Sequence, residues 1–225
     1  MADSLPLFPL GTVLLPGVSL PLHVFEPRYR QLITDLVTGT VPEKRFGMVA
    51  IRQGWQMGED NIEGMELIGC SALLRKVRTL PDGRFDITVC GERRFKLLDV
   101  DCTAAPYLVA SVDWEPDSTP TGVLADLLPA LARSAQHAHD RYQEQAHTDR
   151  LRGTVDEEVD GGLAYTLAAG CLLSLEDRQR LLECNCPASR LRLLRRILAL
   201  ETELLRELRA VPLPLAEFAE DFTRN

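Results

Sequence analysis

The spacing of apolar residues changes near residue 115, and this change constrains the fold more than any other feature of the sequence. Before it, short runs of β type are separated by turn residues, whereas beyond Thr119 leucine and alanine recur at helical intervals. A chain of 225 residues can form one large domain or two small ones. We therefore predict an α+β protein with a β-rich subdomain over residues 1–118 and an α-helical subdomain over residues 119–225.

The first part is predicted to form a small β-barrel with one inserted helix. Pro16-Gly17 suits a turn between two strands, because glycine accepts the positive φ that such a turn requires. Pro27 suits the first turn of a helix, where its missing N–H has no partner to lose, and Gly39 suits the end of that helix. Six or seven short strands indicate a closed or nearly closed barrel. The predicted strands are residues 13–15, 19–25, 46–51, 67–77, 85–90, 95–101 and 107–114.

The second part is predicted to form a bundle of helices. Its first helical stripe contains Pro129, which either kinks that helix or marks its start. Residues 153–162 carry an acidic run and are predicted to connect two helices, and Ser174 is typical of a helix N-cap. A long amphipathic helix follows Pro187. One of its faces is rich in arginine and is interpreted as solvated, with the binding of acidic partners as the alternative: Arg190, Arg192, Arg195, Arg196 and Arg206.

Charge and hydropathy disfavour nucleic acid and membranes as partners. Asp and Glu outnumber Lys and Arg by 33 to 25, which gives a net charge of −8, and the excess is shared equally by the two parts. The long apolar stretch over residues 5–22 is interrupted by proline and glycine before it reaches spanning length, and no secretory signal is recognised. We expect a cytoplasmic protein whose six cysteines are free thiols.

Sequence motifs for nucleotide and acyl chemistry do not occur in the chain. There is no Gly-Lys dipeptide for a phosphate-binding loop, no Gly-x-Gly-x-x-Gly dinucleotide fingerprint and no Gly-x-Ser-x-Gly nucleophile turn. One residue separates Cys184 from Cys186, and His137 and His139 fall on different faces of a helix, so both spacings are poor for a metal. His139 and His147 could share a face, but Gln143 between them is not a usual ligand. We therefore predict neither catalytic residues nor a metal or other cofactor.

A glycine-framed loop at residues 54–58 carries two side chains of the kind that adaptable contact surfaces favour. Trp55 brings a large contact area and Met57 a flexible, polarizable chain. The two residues are candidates for binding a peptide, and core packing beneath a loop is an equally weighted alternative.

Several segments resemble, in order, the N-terminal domain of the ATP-dependent Lon protease, above all the stand-alone bacterial proteins that consist of this domain. The most distinctive are the Pro16-Gly17 turn and the run from Phe25 to Arg30. The matching segments are residues 5–10, 13–17, 20–30, 46–49, 69–72, 80–84 and 91–95. The resemblance implies a PUA-like β-barrel followed by a helical bundle. It also implies a non-catalytic module that binds unfolded or tagged polypeptides or acts as an adaptor in proteolysis, with an ATP-dependent protease as a further partner.

The resemblance includes a small charged cluster whose role stays open. Glu26 precedes Pro27 and is expected to cap the helix by accepting a backbone hydrogen bond, and Arg28 or Arg30 is expected to pair with it. A structural role is favoured over a binding role for these three residues.

Two other functional classes remain as alternatives. PUA-like barrels elsewhere bind RNA, although the acidic charge disfavours that function here. A hydrolase is less favoured still, and would use His23, next to Glu26 in a predicted strand, or the histidines between residues 137 and 147.

Overall fold

The computed structural model describes residues 3–52, 64–146 and 162–208. Six strands and five α-helices lie within these ranges, with one helix inserted after the second strand and the others after the last, which confirms the predicted α+β class. The strands are β1 (Asp3–Leu10), β2 (Ser19–Val24), β3 (Arg45–Ala50), β4 (Ile68–Thr79), β5 (Phe85–Asp101) and β6 (Leu108–Trp114). The helices are α1 (Pro27–Thr38), α2 (Val123–Ala146), α3 (Leu163–Ala169), α4 (Leu175–Glu183) and α5 (Pro187–Leu208), with a short 3-10 turn at Pro42–Lys44.

The strands form one sheet in the order β2-β5-β4-β3-β1-β6. In addition, β6 pairs with the second half of β5, so that β5, β4, β3, β1 and β6 are joined in a ring. Strands β1 and β3 are parallel, and the other named pairs are antiparallel. The first half of β5 extends beyond the ring and pairs with β2.

Strand β5 is continuous, whereas the sequence predicted two separate strands over residues 85–90 and 95–101. The segment between them begins at Gly91, which stays in the ladder opposite Ala72. A Cβ atom at Gly91 would lie 2.3 Å from the carbonyl oxygen of Leu15, so only glycine allows the two backbones to approach this closely. Gly91 therefore lets β5 pass the turn that contains Leu15 and continue to β6.

Strand β1 was missed by the sequence prediction because it contains two prolines. Pro6 pairs with Val109 of β6, and Pro9 pairs with Val49 of β3. The first half of β1 pairs with β6 and the second half with β3, so each proline has a strand partner on one side only. A missing N–H is tolerated on the unpaired side. The predicted strand at residues 13–15 is instead irregular, although its side chains are buried.

The predicted proline start and glycine end of α1 and the predicted N-cap of α4 are confirmed. Helix α1 begins at Pro27 and is followed by Gly39 in the left-handed conformation, with a φ of 84°. The N-cap of α4 is Ser174, whose side chain accepts a hydrogen bond from the Asp177 N–H. Pro129 lies inside α2 and does not mark its start. None of the described helices is long and apolar enough to cross a membrane.

The main hydrophobic core joins the sheet to the helices. One cluster of buried side chains combines strand residues such as Phe46 and Val89 with helix residues such as Tyr142 and Leu194. A smaller cluster packs around Phe95 inside the ring of strands. Because the larger cluster draws on both parts of the chain, the surfaces where strands meet helices are fixed by packing from both sides.

Candidate functional site

Two buried arginines converge on one carboxylate where the strands meet the helices. Arg94 of β5 is 4% exposed and Arg190 of α5 is 2% exposed. An Asp117 oxygen lies 3.0 Å from the Arg94 guanidinium, and Arg190 donates two hydrogen bonds to the same carboxylate, at 2.9 and 2.5 Å. We call these three residues the junction network. Buried guanidinium groups require such partners, because an unpaired charge in the interior is costly.

Carbonyl groups complete the hydrogen bonding of the junction network. Arg94 donates to the carbonyl oxygens of Leu182 and Pro116, at 3.0 and 3.3 Å. Arg190 donates to the Cys184 carbonyl, and its guanidinium lies 4.2 Å from the centre of the Tyr165 ring. Arg94 thus ties β5 to the end of α4 and to the segment before α2, and Arg190 ties α5 to the segment that precedes it.

Arg190 corrects the prediction that the arginines of α5 form a solvated face. Its side chain points to Asp117 and not to solvent, because it lies in the first turn of the helix, next to the junction. Arg195, Arg196 and Arg206 are exposed, as the amphipathic pattern predicts.

A cavity of about 430 Å³ lies beside the junction network, and we call it the junction cavity. Trp114, at the end of β6, and Tyr165 of α3 provide its aromatic surface. The guanidinium of Arg93 lies 3.9 Å from the centre of a Trp114 ring, and the Trp114 indole N–H donates to Asp3. The full lining is Pro16, Glu92, Arg93, Arg94, Trp114, Glu115, Pro116, Asp117 and Tyr165.

The lining of the junction cavity is suited to binding and offers no activated nucleophile among the residues that form it. Burial raises the pKa of the Tyr165 phenol well above its ordinary value of 10.0, so this group stays neutral at physiological pH. The remaining groups are rings, prolines, carboxylates and guanidinium groups. Such a mixture contacts apolar and charged parts of a ligand together.

The cluster predicted at the start of α1 is only partly assembled. Arg28 donates to Glu26 at 3.0 Å, as expected for a charged pair. Glu26 is the N-cap residue, but its side chain makes no capping hydrogen bond, because it is engaged with Arg28. Arg30 lies instead beside Gly83 in the turn before β5. The predicted peptide-binding residues Trp55 and Met57 lie outside the described residues.

Among the described histidines, His23 pairs with a carboxylate, but not with the one that the sequence suggested. His23 Nδ1 lies 2.8 Å from Asp86 Oδ1, so its partner is not Glu26, and both side chains are about half exposed. His139 lies 3.3 Å from Gln143. Within the three described ranges, no group of three His, Cys, Asp or Glu side chains could hold a metal ion, and His147 falls outside those ranges.

The cysteines are free thiols with contrasting surroundings. Burial raises the pKa of the Cys171 thiol to about 12 and that of Cys70 further still. Cys186 precedes α5, and hydrogen bonds from Ser189 lower its pKa. Cys70 and Cys171 are therefore held as neutral thiols within the core, whereas the thiolate form is favoured at Cys186.

A family model described as the ATP-dependent protease La (LON) substrate-binding domain matches residues 4–199. The chain belongs to this LON substrate-binding domain family. The resemblance carried by the Pro-Gly turn and by residues 25–30 is thus confirmed, and the match extends from β1 into α5.

Curated Lon proteases are similar to this LON-family chain over one part of their length. Lon protease 1 of Herpetosiphon aurantiacus is 27% identical over 185 residues, which are 80% of this chain and 22% of that protein. The Lon protease of Heliobacterium modesticaldum is 26% identical over 208 residues, 90% of this chain and 24% of that protein. The chain thus spans about a quarter of the length of these relatives.

Solved structures support the same assignment. A Lon N-terminal domain protein from Xanthomonas campestris is 27% identical, with a TM-score of 0.55, and the alignment covers 84% of this chain and 95% of that one. The N-terminal domain of a Mycobacterium avium complex Lon protease has a TM-score of 0.63, with coverage of 88% and 98%. At 18% identity, the second likeness shows the fold alone.

Sequence reasoning missed the junction network and Trp114 as parts of a candidate site. Arg93 and Arg94 belong to a segment that carried the family resemblance, but nothing local distinguishes a buried arginine from a solvated one. Trp114 ends a predicted strand, and its environment depends on Arg93 and Asp3, which are distant in sequence.

Proposed function

We propose that this protein is a non-catalytic module that recognises unfolded or tagged polypeptides. The observation that carries the proposal is the match of residues 4–199 to a substrate-binding domain family. The binding surface that we assign to this function is the junction cavity.

The chemistry of the junction cavity supports polypeptide recognition over the binding of a single small metabolite. Trp114 is partly exposed and offers aromatic area, and the buried Tyr165 and Pro16 line the same cavity. Glu115 and Arg93 supply both signs of charge next to these rings. An unfolded chain exposes apolar side chains beside polar backbone, and this lining complements both.

An ATP-dependent protease is the partner that the relatives suggest. In the two Lon proteases named above, the region similar to this chain accounts for 22% and 24% of the protein. We propose that the present chain presents bound polypeptides to such a protease as an adaptor. We propose that it does so in the cytoplasm.

A direct binding measurement tests the proposal. The ligand is a test protein kept unfolded by reduction and alkylation of its cysteines and labelled with a fluorophore. It is titrated with the purified chain, and fluorescence anisotropy reports the dissociation constant of the complex. Trp114→Ala should weaken binding by about tenfold, because a buried aromatic anchor typically contributes more than about 1 kcal/mol. Trp114→Phe, which keeps an aromatic surface, should retain most of the affinity.

Phe25→Ala provides the matched control, since Phe25 is an exposed aromatic residue at 59% that does not line the junction cavity. Equal weakening by Trp114→Ala and Phe25→Ala would remove the junction cavity as the binding surface. Absence of any affinity for the unfolded protein, together with salt-dependent binding of a labelled RNA, would replace the proposed function with RNA binding.

A further inference from the structure

An open groove of about 1020 Å³ lies on the part of the sheet formed by β2, the first half of β5 and the end of β4, and we call it the strand groove. Residues directly opposite one another in a sheet share a face. The register therefore puts six of the lining residues on one face, in two cross-strand rows: Pro21, Thr88 and Lys76, and His23, Asp86 and Arg78. No residue that lines the strand groove lines the junction cavity.

The opposite face of these strands packs in the main core, which leaves the groove face to solvent. Ile87 is 3% exposed and belongs to the larger core cluster, and Leu22 packs against that cluster. On the groove face, His23, Lys76 and Arg78 are exposed. A partner therefore reaches the charged rows of the strand groove without displacing the core.

The strand groove carries more positive charge than its own lining balances. Asp86 is the one carboxylate in the lining, and its Oδ1 lies 2.8 Å from His23 Nδ1. Among the residues that the structure describes, Lys76 and Arg78 have no side-chain hydrogen bond or ion pair. Two cations are thus left unpaired on one face, in a chain whose net charge is −8.

The spacing of the two unpaired cations matches that of an extended polypeptide. Lys76 and Arg78 are two residues apart on β4, so their side chains leave the same face about 6.5–7 Å apart along the strand. Side chains at alternate positions of an extended polypeptide repeat at the same interval. The guanidinium of Arg78 can donate two parallel hydrogen bonds to one carboxylate, and the ammonium of Lys76 supplies a compact charge for the next.

We infer that the strand groove binds an extended acidic segment of a partner polypeptide, with glutamate or aspartate at alternate positions. The groove volume of about 1020 Å³ lies at the upper end of the range for ligand pockets, about 300–1,000 Å³, and gives room for several residues. A nucleic acid is a poorer match, because its phosphates continue beyond the two cations and meet a chain of net charge −8. The inference goes beyond the proposed function, since the two surfaces share no lining residue.

A pair of short peptides tests the inference. The first is an acetylated, fluorescently labelled peptide of about seven residues in which glutamate alternates with threonine, and the second has glutamine in place of each glutamate. At low ionic strength, fluorescence anisotropy should show that the glutamate peptide binds about fivefold more tightly, because it gains two ion pairs at an exposed surface. The difference should shrink in about 1 M salt, which screens such pairs.

Variants assign the preference to the strand groove. The double variant Lys76→Gln and Arg78→Gln should abolish the preference for glutamate over glutamine. Lys96→Gln with Arg195→Gln is the matched control, because it removes the same two kinds of charge at exposed positions outside the groove, and should keep the preference. Lys76→Glu with Arg78→Glu should transfer the preference to a peptide that has lysine in place of each glutamate.

Each outcome either supports or overturns the inference. Equal affinity for the glutamate and glutamine peptides overturns it, even where the unfolded protein still binds and the proposed function stands. Equal loss of the preference in both double glutamine variants overturns it as well, because only the net charge of the chain then matters. Binding of a labelled single-stranded RNA that requires Lys76 and Arg78, with no preference between the peptides, overturns it in favour of nucleic acid. A preference that requires Lys76 and Arg78 alone supports it, including a case in which no unfolded protein binds and only the proposed function fails.

Discussion

Replacing Arg190 with methionine should destabilise the protein by about 3 kcal/mol. The guanidinium of Arg190 donates two hydrogen bonds to Asp117 and further bonds to the Cys184 carbonyl, and it lies over the Tyr165 ring. Removing one partner of a buried ion pair costs about 3–5 kcal/mol. The lower end applies here, because the Asp117 side chain is 39% exposed and Arg94 remains 3.0 Å away to balance it.

Urea unfolding followed by circular dichroism at 222 nm measures this change. For denaturant slopes of about 1–3 kcal/mol per molar, a loss of 3 kcal/mol lowers the unfolding midpoint by about 1 M or more. Methionine preserves the unbranched stem of Arg190, so the loss reports the charged contacts and not a large cavity.

Arg195→Met on the exposed side of the same helix is the control, and should change the unfolding free energy by less than about 0.5 kcal/mol. If Arg190→Met and Arg195→Met unfold at the same urea concentration as the unmodified chain, the junction network does not hold β5 to the helices.

We also propose that residues 1–118 and 119–225 unfold together, which a single transition at two spectroscopic probes would support.

Two further changes test the fold at separate places. Gly91→Ala places a Cβ atom 2.3 Å from the Leu15 carbonyl oxygen. It should lower the free energy of unfolding by about 2 kcal/mol, and the melting temperature by about 4–8 °C. A Cβ atom at Gly11 meets nothing within 4 Å, so Gly11→Ala is the control and should melt at the same temperature as the unmodified chain. Burial, followed by a hydrogen bond to Asp35, raises the pKa of Tyr107 from 10.0 to about 12. As the pH rises, the unfolded chain therefore loses the Tyr107 proton before the folded chain does, and the unfolding free energy should fall between pH 10 and 12. The fall should be less steep in Tyr107→Phe. Identical slopes of unfolding free energy against pH in the two proteins would contradict this linkage.

The elements that the sequence predicted correctly are those specified by neighbouring residues. Helix α1 has its starting proline and its terminating glycine within 13 residues, and the side chain of Ser174 meets a backbone group three residues away. These signals need no knowledge of the rest of the chain. Strand β1 escaped prediction because Pro6 and Pro9 are tolerated only through the staggered pairing with β3 and β6, which is a property of the whole sheet.

The candidate sites depend on contacts that local patterns do not encode. Arg190 and Asp117 are 73 residues apart. An arginine in an amphipathic helix satisfies the same periodicity whether it faces water or a carboxylate. The sequence could therefore place Arg190 on α5 but not decide its environment.

The continuity of strand β5 brings the residues of the junction cavity together. The first half of the strand pairs with β2 and the second half with β6, and Gly91 lies between the two. Because the strand does not break at Gly91, Arg94 is carried to the Leu182 carbonyl at the end of α4, and Arg93 is carried to Trp114. The same close approach of Gly91 to Leu15 leaves Pro16 in the wall of the junction cavity. Gly91, which lies outside both predicted strands, is thus the residue on which the geometry of the proposed polypeptide site depends.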